Sequence, residues 1–107
     1  TAYSLAAGGP IIAPSADVFC VTPIAPHTLT LRPLIVNDTS EVRCELLVDN
    51  APAHVVADGK ILGTMRKGEA LIEKKSDHLV KLVKRADSTY YDLLRDKLLW
   101  SVDATSK

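Results

Sequence analysis

The chain of 107 residues has the length of one domain, long enough to bury roughly two-thirds of its unfolded surface in a real core. With 47% hydrophobic and 24% charged residues it reads as globular, and its 13 basic side chains cancel its 13 acidic ones. That balance excludes a global field for nucleic acid or an anionic membrane, and the sequence holds neither a membrane-span-length apolar run nor a signal-peptide pattern.

The chain opens on Thr1-Ala2-Tyr3-Ser4-Leu5-Ala6-Ala7-Gly8-Gly9-Pro10. Its apolar spacing predicts a short helix over residues 1–7, with Gly8 as a permissive cap and Pro10 forbidding continuation. Small residues leave little side chain in the way of an approaching molecule, and Tyr3 offers a flat face beside them. That suits a ligand with a ring and hydroxyls, such as a nucleoside. An Ala-rich helix ending in Gly serves equally as a packing element, and the residues alone leave both readings open.

From residue 11 to 84 the pattern is mostly strand. An apolar run over 17–22 is closed by Pro23 and Pro26, and alternation over 28–36 is interrupted by Pro33, which belongs at a bulge or an edge. Asn37-Asp38-Thr39-Ser40 is a turn cluster. Residues 41–48 alternate, with Val42, Cys44 and Leu46 on the buried face. Asp49-Asn50-Ala51-Pro52 is a further turn. Runs at 54–57 and 61–64 flank Asp58-Gly59-Lys60, a strong short-range hairpin signal, because both central residues tolerate positive φ. Arg66-Lys67-Gly68-Glu69 turns the chain into 70–75, and 77–85 alternates once more. The period then changes: Tyr90, Leu93, Leu94, Lys97 and Leu98 follow the template of an amphipathic helix, with Ser88 or Thr89 as N-cap. Short strands at roughly ten-residue spacing, with one helix at each end, indicate an all-β sandwich or barrel-like domain.

Cys20 and Cys44 lack the C-x-x-C spacing of a structural zinc site and lie in apolar stretches, so two buried free thiols are expected rather than a disulfide. Asp17, Asp49, Asp58 and Asp77 stand singly beside turns. There is no Walker-type phosphate loop, Ser4 has no G-x-S-x-G context, and no metal-ligand set stands out. No catalytic residue is therefore expected within this chain. Lys74-Lys75 and Lys84-Arg85 read as solvated sheet edges.

TAYSLAAGGP, Pro14-Ser15, Thr22-Pro23-Ile24-Ala25-Pro26-His27-Thr28-Leu29, Arg32-Pro33-Leu34, Asp58-Gly59-Lys60 and the closing Tyr90 to Trp100 run occur in one order. Together they resemble the second half of bacterial-type NAD kinases over nearly the whole chain. The resemblance implies a two-sheet β sandwich spanning 1–107: a dinucleotide-contacting segment at 1–9, the sandwich at 11–87 and a helix at 88–100. That helix would cross onto an N-terminal α/β domain that this chain does not contain. The start on Thr1, without methionine or the family's Thr-Gly-Ser-like lead-in, reads as a fragment of a longer protein.

The activity implied is phosphorylation of the adenosine-ribose 2′-hydroxyl of NAD to give NADP, from ATP or polyphosphate with Mg²⁺ or another divalent cation. The catalytic Gly-Gly-Asp-Gly motif and the Asn-Glu pair of the family lie upstream, so this chain alone is expected to be inactive. By the same resemblance Thr1, Ala2, Tyr3, Ser4, Leu5 and Ala6 form the segment that touches NAD. Tyr3 lies against the dinucleotide, while Ala6 stands where the family often has Ser. Ala25 matches a position that approaches the ligand, or is part of a proline-stiffened turn. Lys60 matches a position, commonly Gln, that touches the ligand, or is an exposed hairpin residue. His27 fits the family's Pro-His-Thr-Leu pattern as a structural residue. The resemblance further implies a homodimer or homotetramer; a cytoplasmic protein is expected, and the charge balance and hydropathy above point to binding neither nucleic acid nor membrane. A lipid-kinase relative and a non-enzymatic β assembly module are the alternatives.

Overall fold

A computed structural model describes residues 2–98; the expectations for Thr1, Trp100 and the last turn of the closing helix fall outside the described residues. These residues form an all-β arrangement of six strands with two short helices, and no barrel is closed among them. The order is α1 (Ala2–Ala6), β1 (Val18–Val21), β2 (Leu34–Asn37), β3 (Val42–Glu45), β4 (Ala53–Ala57), β5 (Lys60–Met65), β6 (Ala70–Glu73) and α2 (Tyr90–Leu98). The strands pair as three antiparallel two-stranded ladders, β1 with β2, β3 with β6 and β4 with β5. No described helix is long and apolar enough to cross a membrane.

The chain divides into two compact units, the described residues of Thr1–Ile12 with Ala16–Ser76, and those of Ala13–Ser15 with Asp77–Lys107. In the first, two reversals are closed by turn hydrogen bonds at the residues expected to make them. Between β2 and β3 the Ser40 N–H donates to the Asn37 carbonyl at 3.0 Å. Between β5 and β6 the Glu69 N–H donates to the Arg66 carbonyl at 3.0 Å, with Gly68 at φ 85°. The Glu69 carboxylate also accepts from the Arg66 N–H at 2.7 Å. Backbone bonds between Leu46, Gly68 and Glu69 carry the β3–β6 pairing one step beyond the ladder. The most enclosed apolar side chains of this unit are half-buried, and Phe19, Val55, Met65 and Leu71 line a groove of about 1100 Å³ shared by β1, β4, β5 and β6.

Lys75, just past β6, pairs with Asp38 in the β2–β3 turn, tying two points 37 positions apart. That hydrogen bond and the adjacent carboxylate charge raise the Lys75 pKa above its ordinary value. Lys75 stays exposed, as a solvated position just past a strand should be, while making this pair.

Three readings are corrected. Residues 28–32 are not strand: the Thr28 hydroxyl binds the Thr30 hydroxyl at 2.8 Å and accepts from its N–H, while Arg32 donates to the carbonyls of Leu29 and Leu31. Side chains thereby occupy backbone groups that a ladder would use, and pairing starts only after Pro33. Residues 77–85 alternate but form no ladder among the described residues, and every one of them is exposed. Alternation favours a strand only where another strand offers its backbone. Cys20 and Cys44 are both free as expected, yet Cys44 is exposed and Cys20 half-buried, so the pair is not a buried one.

In the second unit, α2 starts where its capping residues lie. The Thr89 Oγ1 accepts from the Asp92 N–H at 3.1 Å, and the Asp92 carboxylate accepts from the Thr89 N–H at 3.0 Å and its hydroxyl at 2.8 Å. This reciprocal box satisfies N–H groups the first turn cannot pair internally. The N–H bond from Thr89, then its hydroxyl, lower the Asp92 pKa below the ordinary carboxylate value. Of the stripe read from the sequence, Leu94 is buried while Leu93 and Leu98 are exposed.

Candidate functional site

The opening segment ends as a Schellman motif. Gly8, at φ 90°, donates to the Leu5 carbonyl at 3.1 Å, and Gly9 donates to the Ser4 carbonyl at 2.6 Å. The left-handed position excludes most side chains at Gly8. At Gly9 the limit is space, because an added Cβ would stand 2.7 Å from the Ser4 carbonyl oxygen and closer still to its hydroxyl. The chain can therefore turn sharply against the helix it has just left.

Five residues are too few to hold a helix by propensity alone. A side-chain tether supplies an anchor: the Ser4 and Thr22 hydroxyls are hydrogen-bonded at 2.7 Å, with the Cys20 thiol 3.4 Å from the Thr22 oxygen and 3.8 Å from that of Ser4. This cluster fixes α1 to the end of β1. Tyr3, on the same helix, remains 85% exposed and free to meet a ligand.

Beyond Thr22 the chain passes through Pro23-Ile24-Ala25-Pro26. Ala25 sits at φ 50°, a left-handed conformation that costs an L-residue about 1–2 kcal/mol and is held here between two prolines. The third component is the β4–β5 hairpin. Asp58 at φ 49° and Gly59 at φ 79° give the type I′ geometry that matches strand twist. One bulge, at Leu62, separates the Val55–Gly63 and Val56–Ile61 pairs.

These three pieces meet. Tyr3 from α1, Ile24 from the proline turn, and Val56, Asp58 and Gly59 from the hairpin line one cleft of about 610 Å³. It has an aromatic face, two aliphatic walls and a single carboxylate among its described lining residues. Such a surface receives a flat ring and offers an acceptor to a donor on it.

Of the residues singled out in the sequence, Tyr3 lines this cleft directly. Ser4 turns its hydroxyl to Thr22, Leu5 is half-buried, and Ala6 is exposed on the helix. Ala2 is helical, and Thr1 lies outside the described residues. Ala25 and Lys60 each sit one position from a lining residue, beside Ile24 and Gly59, and are not in the wall themselves. The lining roles of Ile24, Val56 and Asp58 were not read from the sequence. In the sequence Asp58 signals a hairpin turn and stands as a single carboxylate beside it, with nothing local to mark it as part of a ligand wall. Among the described residues no group of three or more His, Cys, Asp or Glu comes together as a metal site.

Residues 1–85 match the family described as ATP-NAD kinase C-terminal domain. Among curated relatives, the NAD kinase of Prosthecochloris aestuarii is 41% identical over 100 residues, 94% of this chain and 35% of its own length. That of Chlorobium limicola is 40% identical over 99% of this chain and 37% of its own. That of Chlorobaculum tepidum is 42% identical over 94% and 36%. The chain thus spans little more than a third of the length of these relatives.

Proposed function

The chain belongs to the ATP-NAD kinase C-terminal domain family, and from that premise we propose that it is the dinucleotide-binding part of an NAD kinase. The intact enzyme transfers a phosphoryl group from ATP or polyphosphate to the adenosine-ribose 2′-hydroxyl of NAD. The observation that carries this reading is the cleft in which Tyr3, from the matched opening segment, faces the proline turn and the Asp58-Gly59 hairpin. A ring stacked on Tyr3 would have aliphatic contact from Ile24 and Val56. Backbone from 1–6 and the flanking Ala25 and Lys60 would complete the contacts, with Lys60 placed to meet a phosphate as a point charge.

The remaining parts of the reaction belong to the rest of the enzyme. A carboxylate from the upstream domain would position the ribose hydroxyl. Mg²⁺ or another divalent cation would travel with the nucleotide phosphates and take up their charge. The enzyme is proposed to act in the cytoplasm as a homodimer or homotetramer, with this chain docked on its own N-terminal domain.

Substitution of Tyr3 tests the reading. Base–aromatic stacking is worth about 1–3 kcal/mol by alanine substitution, or roughly one to two orders of magnitude in affinity. In the intact enzyme Tyr3→Ala raises KM for NAD by about that factor, while kcat falls less because stacking acts equally before and during transfer. Tyr3→Phe keeps the ring and costs much less. A folded Tyr3→Ala enzyme with wild-type KM makes Tyr3 a packing residue and removes the assignment.

A further inference from the structure

Among the described residues, two that are not glycine have a left-handed backbone, Ala25 at φ 50° and Asp58 at φ 49°. Both stand at the same cleft: Asp58 is in its wall, and Ala25 directly follows Ile24, which is also in it. The hairpin accounts for Asp58, because its two-residue turn needs positive φ and aspartate tolerates it. No hairpin accounts for Ala25. Its methyl group disfavours the left-handed region, and a residue before proline is pushed toward extended backbone instead. A conformation unfavourable on two counts persists only where its surroundings enforce it, and such residues cluster at ligand clamps.

The enforcing contacts lie on both sides. Upstream, the Thr22 hydroxyl is held by that of Ser4 at 2.7 Å, and Pro23 has a fixed φ. Downstream, Pro26 fixes another, and Arg32 ties the carbonyls of Leu29 and Leu31 in the loop before β2. With both ends anchored, a change of φ at Ala25 is taken up by the nearest free torsions, those of Ile24. We propose that Ala25 is a positioning residue whose left-handed backbone holds the Ile24 side chain in the wall it shares with Tyr3. On the NAD kinase reading given above, on which this rests, a ligand resting on Tyr3 covers Ile24, which is 70% exposed in the empty cleft. Covering about half of an isoleucine side chain is worth about fivefold in affinity. Ala25 itself is exposed, so a larger side chain there meets solvent and acts through the backbone.

The test separates backbone preference from size. Valine and asparagine are similar in bulk, but a β-branched residue resists positive φ and asparagine accepts it. In the intact enzyme carrying this chain, KM and kcat for NAD are measured in wild type, Ile24→Ala, Ala25→Val, Ala25→Asn, Tyr3→Ala and the double variant Ile24→Ala with Ala25→Val. The expected result is a KM raised about fivefold by Ile24→Ala and by Ala25→Val, with kcat changed less, and less than twofold by Ala25→Asn. In the Ile24→Ala background Ala25→Val should add less than twofold, because the side chain it misplaces is already gone. Should Ala25→Val not fold, Ala25→Leu replaces it, disfavouring the same backbone without branching at Cβ. Equal effects of the two side chains at position 25 overturn the proposal, as does a valine effect that persists in full without Ile24, or an Ile24→Ala enzyme with wild-type KM. Tyr3→Ala separates the two levels. If it leaves KM for NAD unchanged, the cleft is not the ligand site and the functional reading falls too. If it raises KM while the other variants fail these expectations, only the proposal falls.

Discussion

Gly9→Ala is the substitution that most directly tests how the opening helix is held. A Cβ at this position would lie 2.7 Å from the Ser4 carbonyl oxygen, where no relaxed contact exists, and nearer still to the Ser4 hydroxyl. The hydroxyl could rotate away, but it would then leave Thr22 at 2.7 Å. The carbonyl cannot retreat without losing the Gly9 N–H bond of 2.6 Å that closes the helix. Each hydrogen bond contributes about 1 kcal/mol net. Overpacking against backbone adds about 1–3 kcal/mol, so the total cost is about 2–4 kcal/mol, limited by what undocking α1 would cost. Two other glycines calibrate this. Gly8→Ala meets nothing within 4 Å and pays only for its left-handed backbone, about 1 kcal/mol. Gly63→Ala in β5 meets nothing within 4 Å and has no such conformation, so it is neutral or slightly stabilising. Urea unfolding followed by circular dichroism should rank the costs Gly9, Gly8, Gly63. In the intact enzyme Gly9→Ala should also raise KM for NAD, since Tyr3 moves with the helix. A Gly9→Ala protein no less stable than Gly8→Ala would refute the steric argument.

Three other outcomes are expected. Because the Asp92 pKa is lowered, the capping box of α2 contributes fully above the ordinary carboxylate value of 3.8 and is lost as pH falls through the lower folded value. Acid titration of helicity should show that loss, and Asp92→Ala should remove the pH dependence. The Lys75 pKa is raised, so its pairing with Asp38 contributes fully below the ordinary lysine value of 10.5 and is lost as pH rises through the folded value. Melting temperature measured into that alkaline range should fall more steeply in wild type than in Asp38→Asn or Lys75→Met. The purified chain, without the upstream part of the enzyme, should form no NADP above a matched blank, and detectable turnover would relocate the catalytic groups.

What could be read from the sequence was what short-range chemistry decides. Asp58-Gly59, Gly68 and the Gly8 cap each impose a backbone conformation on their own neighbours, and each turn lies where its residues predict. Thr89 and Asp92 likewise fix the start of α2 between themselves. Strands were legible only where a partner exists. Residues 77–85 carry as clear an alternation as β3 does, yet period alone says nothing about pairing. At the site, Tyr3 was identifiable because the segment around it is distinctive, and the family expected from it is the one that matches. Ile24, Val56 and Asp58 join it only through the approach of three separated pieces of chain. The Ser4 hydroxyl meets that of Thr22, a contact across 18 positions with no local signature.

The tether between Ser4 and Thr22 sets an order of events. A helix of five residues does not persist on its own, so α1 can settle only after β1 has brought Thr22 into place. Occupancy of the cleft and integrity of the β1–β2 ladder are then thermodynamically linked, since a ligand resting on Tyr3 favours only molecules in which the helix is docked. Saturating ligand should consequently slow amide exchange at Phe19 and Val36, a facing pair inside a ladder the ligand does not line, as well as within α1. The protein's first turn of helix is in this sense a reporter on a strand pair some fifteen or more residues away in the chain.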